Sequence, residues 1–450
     1  EDSWCRVARA MAMPERDHRY WEERFLAALQ GYKFLPAGRI LANAGTSRSK
    51  VTMFNCFVMG TIEDSMEGIF GAVSEAALTQ KQGGGVGFDF STIRPRGDFI
   101  RGVESQASGP VSFMQVFDAT CRTVMSAGQR RGAQMAVLSV SHPDIEQFIT
   151  AKRGNAALQM FNLSVAVTDA FMEAVKEDRN WDLTFGAKVY KTVRARDLFD
   201  TIMRSTYDFA EPGFILMDRI NRMNNLWYCE AIRATNPCGE QPLPPYGACL
   251  LGSINLPQFV RNPFSDHADI DWDGMIETVR VAVRMLDNVI EISKFPLDKQ
   301  LEEATNKRRM GLGITGLANL FAMLRMRYGS PASLDTAEKV MRIIRDTAYD
   351  ASVDLAIEKG VFPLFDRDRY LQGAFIQQLP EQLRQRIHDH GIRNSHLISI
   401  APTGTISLFA GNVSSGLEPV FALSYTRRVR VGHGEDYAEH TVEDYAYRLY

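Results

Sequence analysis

An α/β fold with mostly parallel strands, built as one large domain, is what this sequence predicts. Short apolar runs of strand length alternate with longer segments of helical periodicity along nearly the whole chain. No short-period internal repeat and no low-complexity linker divides it. Its 450 residues suffice for a large core and for more than one domain, yet an α/β barrel can use most of such a length alone.

The elements follow in order. Residues 1–33 carry Arg, Glu and aromatic side chains at spacings of three and four, which predicts helix. Phe34 to Leu41 reads as a turn into a new segment, and Met53 to Met59 as a short buried strand. Ser65 to Lys81 predicts a helix with Ile69, Phe70, Val73, Ala76 and Ala77 on one face. The glycines from Gln82 to Phe88 end it and open another strand. A loop, a helix around Phe113 to Met125 and a Gly/Gln/Arg loop lead to strands at Gln134–Ser141 and Phe161–Val167. Helices at about 169–177 and 196–209 precede a strand at Gly213 to Met217. Beyond the irregular region around Cys238, Met275 to Ser293 is a long helix with an apolar stripe. Gly311 to Leu317 is a Gly-punctuated segment leading into a helix, and Ala337 to Lys359 is helical. His396 to Ala401 is a buried strand that runs into Pro402-Thr-Gly-Thr-Ile-Ser407.

Composition excludes several classes. Hydrophobic content of 45% and charged content of 23% are ordinary for a soluble globular protein. A net charge of -3 gives no reason to expect nucleic acid or an anionic membrane as partner, although a local site can still hold a nucleotide-sized anion. No apolar run approaches the roughly 18–20 residues of a membrane span, and no secretory leader opens the chain. Six cysteines without a repeating framework argue against a disulfide-stapled secreted protein, so a reducing cytoplasm is the expected home. Their spacings fit no zinc site. Cys5, Cys121 and Cys229 read as small buried hydrophobes. Without an initiator Met, with residues 1–10 reading as the middle of a helix and His440 to Tyr450 as an uncapped one, the chain reads as a fragment.

The chemistry concentrates in Asn236-Pro-Cys-Gly-Glu240. Pro237 and Gly239 mark an irregular turn, and Cys238 stands between an amide and a carboxylate that can bind a substrate hydroxyl. Such a thiol suits hydrogen-atom chemistry on a sugar. Cys249 follows eleven residues later, close enough for a loop to fold back, and Cys56 lies in a predicted strand. If Cys56 neighbours Cys249 across a sheet, the pair can cycle between dithiol and disulfide and deliver two electrons. Three buried structural cysteines is the alternative. Pro402 to Ser407 after a strand is a candidate phosphate cradle, or simply a helix cap. The triple glycine at 83–85 suits close backbone packing more than phosphate. Asp64-Ser65 reads as an N-cap compatible with a nucleotide contact, and Arg94, Arg96 and Arg101 as phosphate ligands or a solvated face.

In order, Pro36-Ala-Gly-Arg-Ile-Leu41, Asn55-Cys56, Asp64-Ser65, Gly83-Gly-Gly-Val-Gly87, Arg94-Pro95, Phe161-Asn-Leu-Ser-Val165, Asn236-Pro-Cys-Gly-Glu240, Cys249, Arg393-Asn-Ser395, Pro402-Thr-Gly-Thr-Ile-Ser407 and Ser415-Gly-Leu-Glu-Pro419 resemble the catalytic subunit of ribonucleotide reductase, most closely its adenosylcobalamin-dependent class II. The likeness runs from about Pro36 to about Arg428. It implies a ten-stranded α/β barrel of two parallel five-stranded halves, with a central finger loop, at 46–450 after a helical segment at 1–45.

By that resemblance Cys238 becomes the thiyl radical, Glu240 takes the 3′-hydroxyl proton, Asn236 orients the hydroxyls, and Cys56 and Cys249 end as a disulfide. Asn55, Asn162 and the segment Thr403, Gly404, Thr405, Ile406 and Ser407 would bind substrate, the last through its phosphates. Asp64, Ser65, Arg94 and Arg101 would hold a deoxynucleotide effector, with the loop at about Lys152 to Gln159 carrying its signal. The implied cofactor is adenosylcobalamin. The implied partners are a ribonucleotide (a diphosphate, since no large insertion lies near the effector region), thioredoxin or a similar dithiol, and a second copy docked through the helices near Ser65 and Phe113. A class I subunit served by a separate metal-containing protein, or a nucleotide-binding fragment without turnover, are the other readings. The family's C-terminal cysteine pair, its last barrel strands and an ATP-binding cone do not appear in this sequence.

Overall fold

The computed structural model describes residues 2–48, 50–100, 102, 104–124, 132–153, 157–431 and 437–450. Two helices open it, α1 (Asp2–Ala12) and α2 (His18–Gln30), the second capped by Asp17, whose carboxylate accepts from the Tyr20 N–H. Where the sequence suggested only a turn, Phe34–Pro36 forms a short strand, β1, followed by a helix at Gly38–Asn43. Pro36 is tolerated because β1 lies at the edge of its sheet, where a missing N–H forfeits little.

Next come β2 (Cys56–Val58), α3 (Met66–Lys81), β3 (Gly85–Asp89), α4 (Pro110–Thr123), β4 (Gln134–Ser139), β5 (Phe161–Val167) and β6 (Gly213–Leu216). The five strands pair in the order β6-β5-β4-β3-β2, all parallel. This is the five-stranded half-barrel expected. At its edge β7 (Ala248–Cys249) runs antiparallel to β2. The chain continues directly into β8 (Leu251–Asn255), which pairs in parallel with β9 (Gly311–Thr315) and antiparallel with β1. The segment 396–401 runs beside β9 through a parallel bridge between Leu312 and Ile398. The second half therefore runs opposite to the first, and Cys249 lies at the seam. Both β8 and β9 are buried throughout, as parallel strands covered on two faces are.

The outer layer explains the long helices. In α5 (Trp272–Ile292), Asp271 caps the start, and Val279, Val283, Leu286 and Ile290 are buried. The apolar stripe widens into burial on nearly all sides between Val281 and Ile290. Arg284, Asp287 and Asn288 are buried with it because each finds partners: Arg284 in Glu15 and Glu358, Asp287 in Arg308, and Asn288 in the Met11 carbonyl of α1 and in Glu15. The helix α6 (Asp298–Lys307) follows, then α7 (Pro331–Lys359). In the first half, α4 is fixed by aromatic edges: Phe117 meets Phe88 at 4.9 Å and Phe90 at 5.3 Å between ring centroids. Each such contact adds about 0.5–1.5 kcal/mol beyond area burial.

One element went unpredicted and two expectations are corrected. The hairpin Asn180–Phe185/Lys188–Arg194 was not anticipated: its first strand turns Trp181, Leu183 and Phe185 to one face, with Leu183 buried, while its second strand is mostly exposed and rich in Lys and Arg. Residues 440–450 are not an uncapped helix. Tyr437–Glu443 is a strand paired with Ser424–Arg430, and only Tyr445–Leu449 is helical, capped by the Asp444 carboxylate. Of the three cysteines read as buried packing residues, Cys121 is buried, Cys5 is half-buried and Cys229 is exposed. No described helix is long and apolar enough to cross a membrane.

Candidate active site

The Cys238 loop is a finger. Ala234–Thr235 and Pro242–Leu243 pair antiparallel and leave residues 236–241 as its tip. The finger presses on the interior of β3, and that explains the glycines there. A Cβ on Gly87 would collide with the Thr235 carbonyl, and one on Gly85 would lie 3.0 Å from the Pro237 ring and 3.2 Å from Cys56 Sγ. Gly85 and Gly87 thus serve close approach of two backbones rather than a phosphate. On the other side the Asn162 amide donates to the Pro237 carbonyl at 2.6 Å and ties the tip to β5.

Inside the tip, Asn236 is fully buried. Its Nδ2 donates to Glu240 Oε2 at 2.6 Å, and its Oδ1 accepts the Gln241 N–H at 3.0 Å. Gly239 adopts φ +82 and donates its N–H to the Asn236 carbonyl at 3.0 Å. The ring so closed leaves Cys238 exposed at the apex. Burial pushes the Glu240 carboxyl up from its ordinary range, while the Asn236 hydrogen bond pulls it back.

Cys249 stands directly opposite Cys56 in the β7–β2 pair. Opposed residues in an antiparallel pair are about 4.5–5.5 Å apart at Cα, within the roughly 4.4–6.8 Å that a disulfide spans. Both residues are thiols in this structure. Cys249 is wholly buried, and burial pushes its thiol well up, reinforced by the charges of Cys56, Glu240 and Cys238. Gly85, packed between the Pro237 ring and Cys56 Sγ, sets the finger tip beside the pair. Asn55 frames it: its N–H donates to the Cys249 carbonyl and its carbonyl accepts from Gly85, both at 3.0 Å. Its side-chain Oδ1 is buried with no hydrogen-bond partner among the described residues. An acceptor in that position suits a ligand hydroxyl.

The presumed cradle divides. Thr403 adopts φ +54, bonds Thr315 Oγ1 at 3.0 Å and accepts the Gly416 N–H at 2.9 Å. Ser407 bonds Ser415 at 3.0 Å, and Ile406 packs against Leu35, Ala410 and Val413. These three side chains hold the loop and the short helix α8 (Gly404–Phe409). Gly404 and Thr405 are exposed, and a Cβ on Gly404 would meet nothing within 4 Å.

The effector residues are only partly gathered. Arg94 Nε donates to Asp64 Oδ2 at 2.8 Å and its N–H to Oδ1 at 3.1 Å, while Ser65 caps α3 by accepting from Gly68. Arg101 lies outside the described residues. Lys152 is turned elsewhere: its ammonium bonds the Phe161 carbonyl and Glu211, each at 2.6 Å.

Two positioning residues escaped the sequence reading. Ser399 Oγ donates to the Glu240 carbonyl at 3.1 Å. Gln241 accepts the Asn236 N–H on its carbonyl and donates its own N–H to Asn236 Oδ1, and its side-chain amide fills the space where a Cβ on Gly311 would stand. Behind them lies a buried charge group. Glu230 pairs with Lys307 at 2.8 Å and Arg309 at 2.5 Å, and Glu303 with the same two at 2.6 and 3.1 Å. Burial alone would raise Glu230, but Arg309 and Lys307 overcome it and hold it at about 2. His396, bonded to Arg309 and Asn224, is pushed down to about 3 by burial and then by Arg309. Arg309 leads into β9, so this group fixes the strand on which Gln241 rests. Adjacency to Glu240 was the one sequence signal for Gln241. Ser399 had none. Among the described residues no cluster of three His, Cys, Asp or Glu gathers to hold a metal.

Comparison with known proteins agrees with this geometry. The ribonucleotide reductase barrel domain matches residues 54–448, and the ribonucleotide reductase all-alpha domain matches residues 1–49. The chain is 41% identical over 432 residues to a vitamin B12-dependent ribonucleoside-diphosphate reductase of Mycobacterium tuberculosis, covering 94% of this chain and 59% of that protein. It is 40% identical over 416 residues to the protein of that name from Thermoplasma acidophilum, covering 92% and 51%. A ribonucleoside-diphosphate reductase subunit alpha of Chlamydia muridarum is 28% identical over 477 residues, covering 93% and 45%. The chain thus spans between about half and three-fifths of the length of the B12-dependent relatives. With its finger loop, its thiol pair at the seam and its five-stranded parallel half, the chain belongs to the ribonucleotide reductase family.

Proposed function

We propose that this chain carries the catalytic centre of an adenosylcobalamin-dependent reductase that converts ribonucleoside diphosphates to 2′-deoxyribonucleotides. The observation that carries it is Cys249 opposite Cys56 in the sheet, with Glu240 and Cys238 bearing on the same buried thiol. Three thiols and a carboxylate around one spot suit radical reduction of a sugar, in which two thiols supply two electrons.

The residues divide the work. Cys238, as a thiyl, takes hydrogen from C3′, and Glu240 takes the 3′-hydroxyl proton. The C2′–O bond then breaks, and Cys249 and Cys56 become a disulfide by giving up two hydrogens, one to the hydroxyl that leaves as water and one to C2′, after which Glu240 returns its proton to the 3′-oxygen. Cys238 returns hydrogen to C3′ and is a thiyl again. Asn236 and the unpartnered Asn55 Oδ1 orient the ribose hydroxyls, with Asn162 holding the finger beside them. The outward Gly404 and Thr405 take the phosphates. Exposure of Cys238 at the apex fits a bound radical source. When bound, adenosylcobalamin supplies the radical that makes the thiyl.

A deoxynucleotide effector is assigned to the region of Asp64, Ser65 and Arg94, and thioredoxin or a similar dithiol to re-reduction of the pair. A homodimer is assigned to α3 and α4, supported by exposed Met66, Phe70 and Leu78 on α3. A reducing cytoplasm suits the thiols.

The test is anaerobic incubation with adenosylcobalamin, a ribonucleoside diphosphate, a deoxynucleotide effector and dithiothreitol, with Cys238→Ala alongside. Deoxynucleotide formed by the natural chain and absent with the variant is expected. Nucleotide binding without product, or product that survives in Cys238→Ala, overturns the reading.

A further inference from the structure

A cavity of about 910 Å³ lies between α1 and the segment that holds Asn43 to Arg48, Val51 and Met53, apart from the Cys56–Cys249 pair, the Cys238 finger and the Thr403–Ser407 loop. Its volume is that of a site for a small organic ligand. Met13, Met53 and Ile292 give it an apolar floor, and Arg6, Arg9, Arg48 and Lys294 surround it. Among the described residues no carboxylate shares that lining. Arg9 is matched by Glu22 at 3.2 Å. Arg6 turns its guanidinium to the carbonyls of Ala44 and Leu41, which orients the charge without cancelling it. Converging like charges repel unless a counter-charge joins them. The chain as a whole is negative, at -3, so this gathering is local.

We propose that the cavity binds a nucleoside polyphosphate, its phosphates among Arg6, Arg48 and Lys294 and its nucleoside body on the apolar floor. The site goes beyond the reductase reading, shares no residue with the catalytic centre, and stands or falls independently of turnover.

Cys5 lines the same cavity and is half-buried, which makes it a reporter for this site alone. The experiment follows its alkylation by N-ethylmaleimide through peptide mass spectrometry, with exposed Cys229 as the internal control. Tripolyphosphate tests charge alone, and ATP tests charge on a nucleoside. At ten times its dissociation constant ATP is expected to slow Cys5 about tenfold by mass action, at lower concentration than tripolyphosphate, while Cys229 reacts unchanged. The double variant Arg48→Glu/Lys294→Glu should lose the protection. An unchanged Cys5 rate with ATP, or protection that persists in the double variant, overturns the proposal. Tripolyphosphate protecting as well as ATP overturns the nucleoside assignment.

Discussion

Asn236 donates its side-chain amide to Glu240 at 2.6 Å while its carbonyl oxygen receives the Gln241 N–H. One buried amide therefore sets both the shape of the finger tip and the charge state of its acid. The hydrogen bond favours the carboxylate that burial disfavours.

Replacing Asn236 by Ala removes the larger of the two hydrogen bonds that lower the Glu240 pKa, so the value rises further. If the carboxylate is the working base, activity is present above that pKa and lost as pH falls through it. The acidic limb of the kcat/KM profile for Asn236→Ala should move to higher pH, along with a fall in kcat of about 10²–10⁴-fold. An unmoved limb would show that the amide does not act through Glu240.

Gly87→Ala tests the finger's seat. The new methyl meets the Thr235 carbonyl, a backbone atom that cannot rotate away. A loss of about 1–3 kcal/mol in urea unfolding is expected from overpacking, with activity falling further because the thiols lose register. Gly404→Ala, whose Cβ meets nothing within 4 Å, should be nearly neutral for stability.

The buried charge group gives a signed pH dependence. His396 has a folded pKa of about 3 against an ordinary 6.5, so its neutral form is the folded one. Stability is intact above 6.5 and declines as pH falls from there toward 3. Glu230, held at about 2 against 4.5, acts in the same direction over the lower window, 4.5 toward 2. Between pH 7 and pH 5 His396 alone should cost about 2 kcal/mol, read as a lower urea midpoint. His396→Gln should flatten that slope. Glu230→Gln removes one of the two carboxylates that Arg309 and Lys307 share and leaves Glu303 alone against both buried cations, at a cost of up to about 3–5 kcal/mol.

Much of this was legible because it is written in local pattern. Phe161–Val167 sets Phe161, Leu163, Val165 and Val167 at a period of two and forms a strand with those bounds, and Ser65 before an apolar face caps a helix as its hydroxyl dictates. Pro237 and Gly239 announced a loop whatever surrounded it. The strand at 437–443 was not legible, because its exposed ribbon buries almost no face to leave a period; the hairpin at 180–194 carries a period only in its first strand, Trp181, Leu183 and Phe185, too short a signal beside a charged second strand.

The sequence by itself determined the alternation of strands and helices, the Asn-x-Cys-x-Glu spacing and, through the order of its motifs, the family. The tertiary structure alone decided that Cys249 faces Cys56 across a seam between opposed half-barrels. It alone made Ser399, 159 residues away, the partner of the Glu240 carbonyl. Local pattern fixes which face of a segment seeks burial. Which residue meets it is settled by chain closure over long separations, and no periodicity records that.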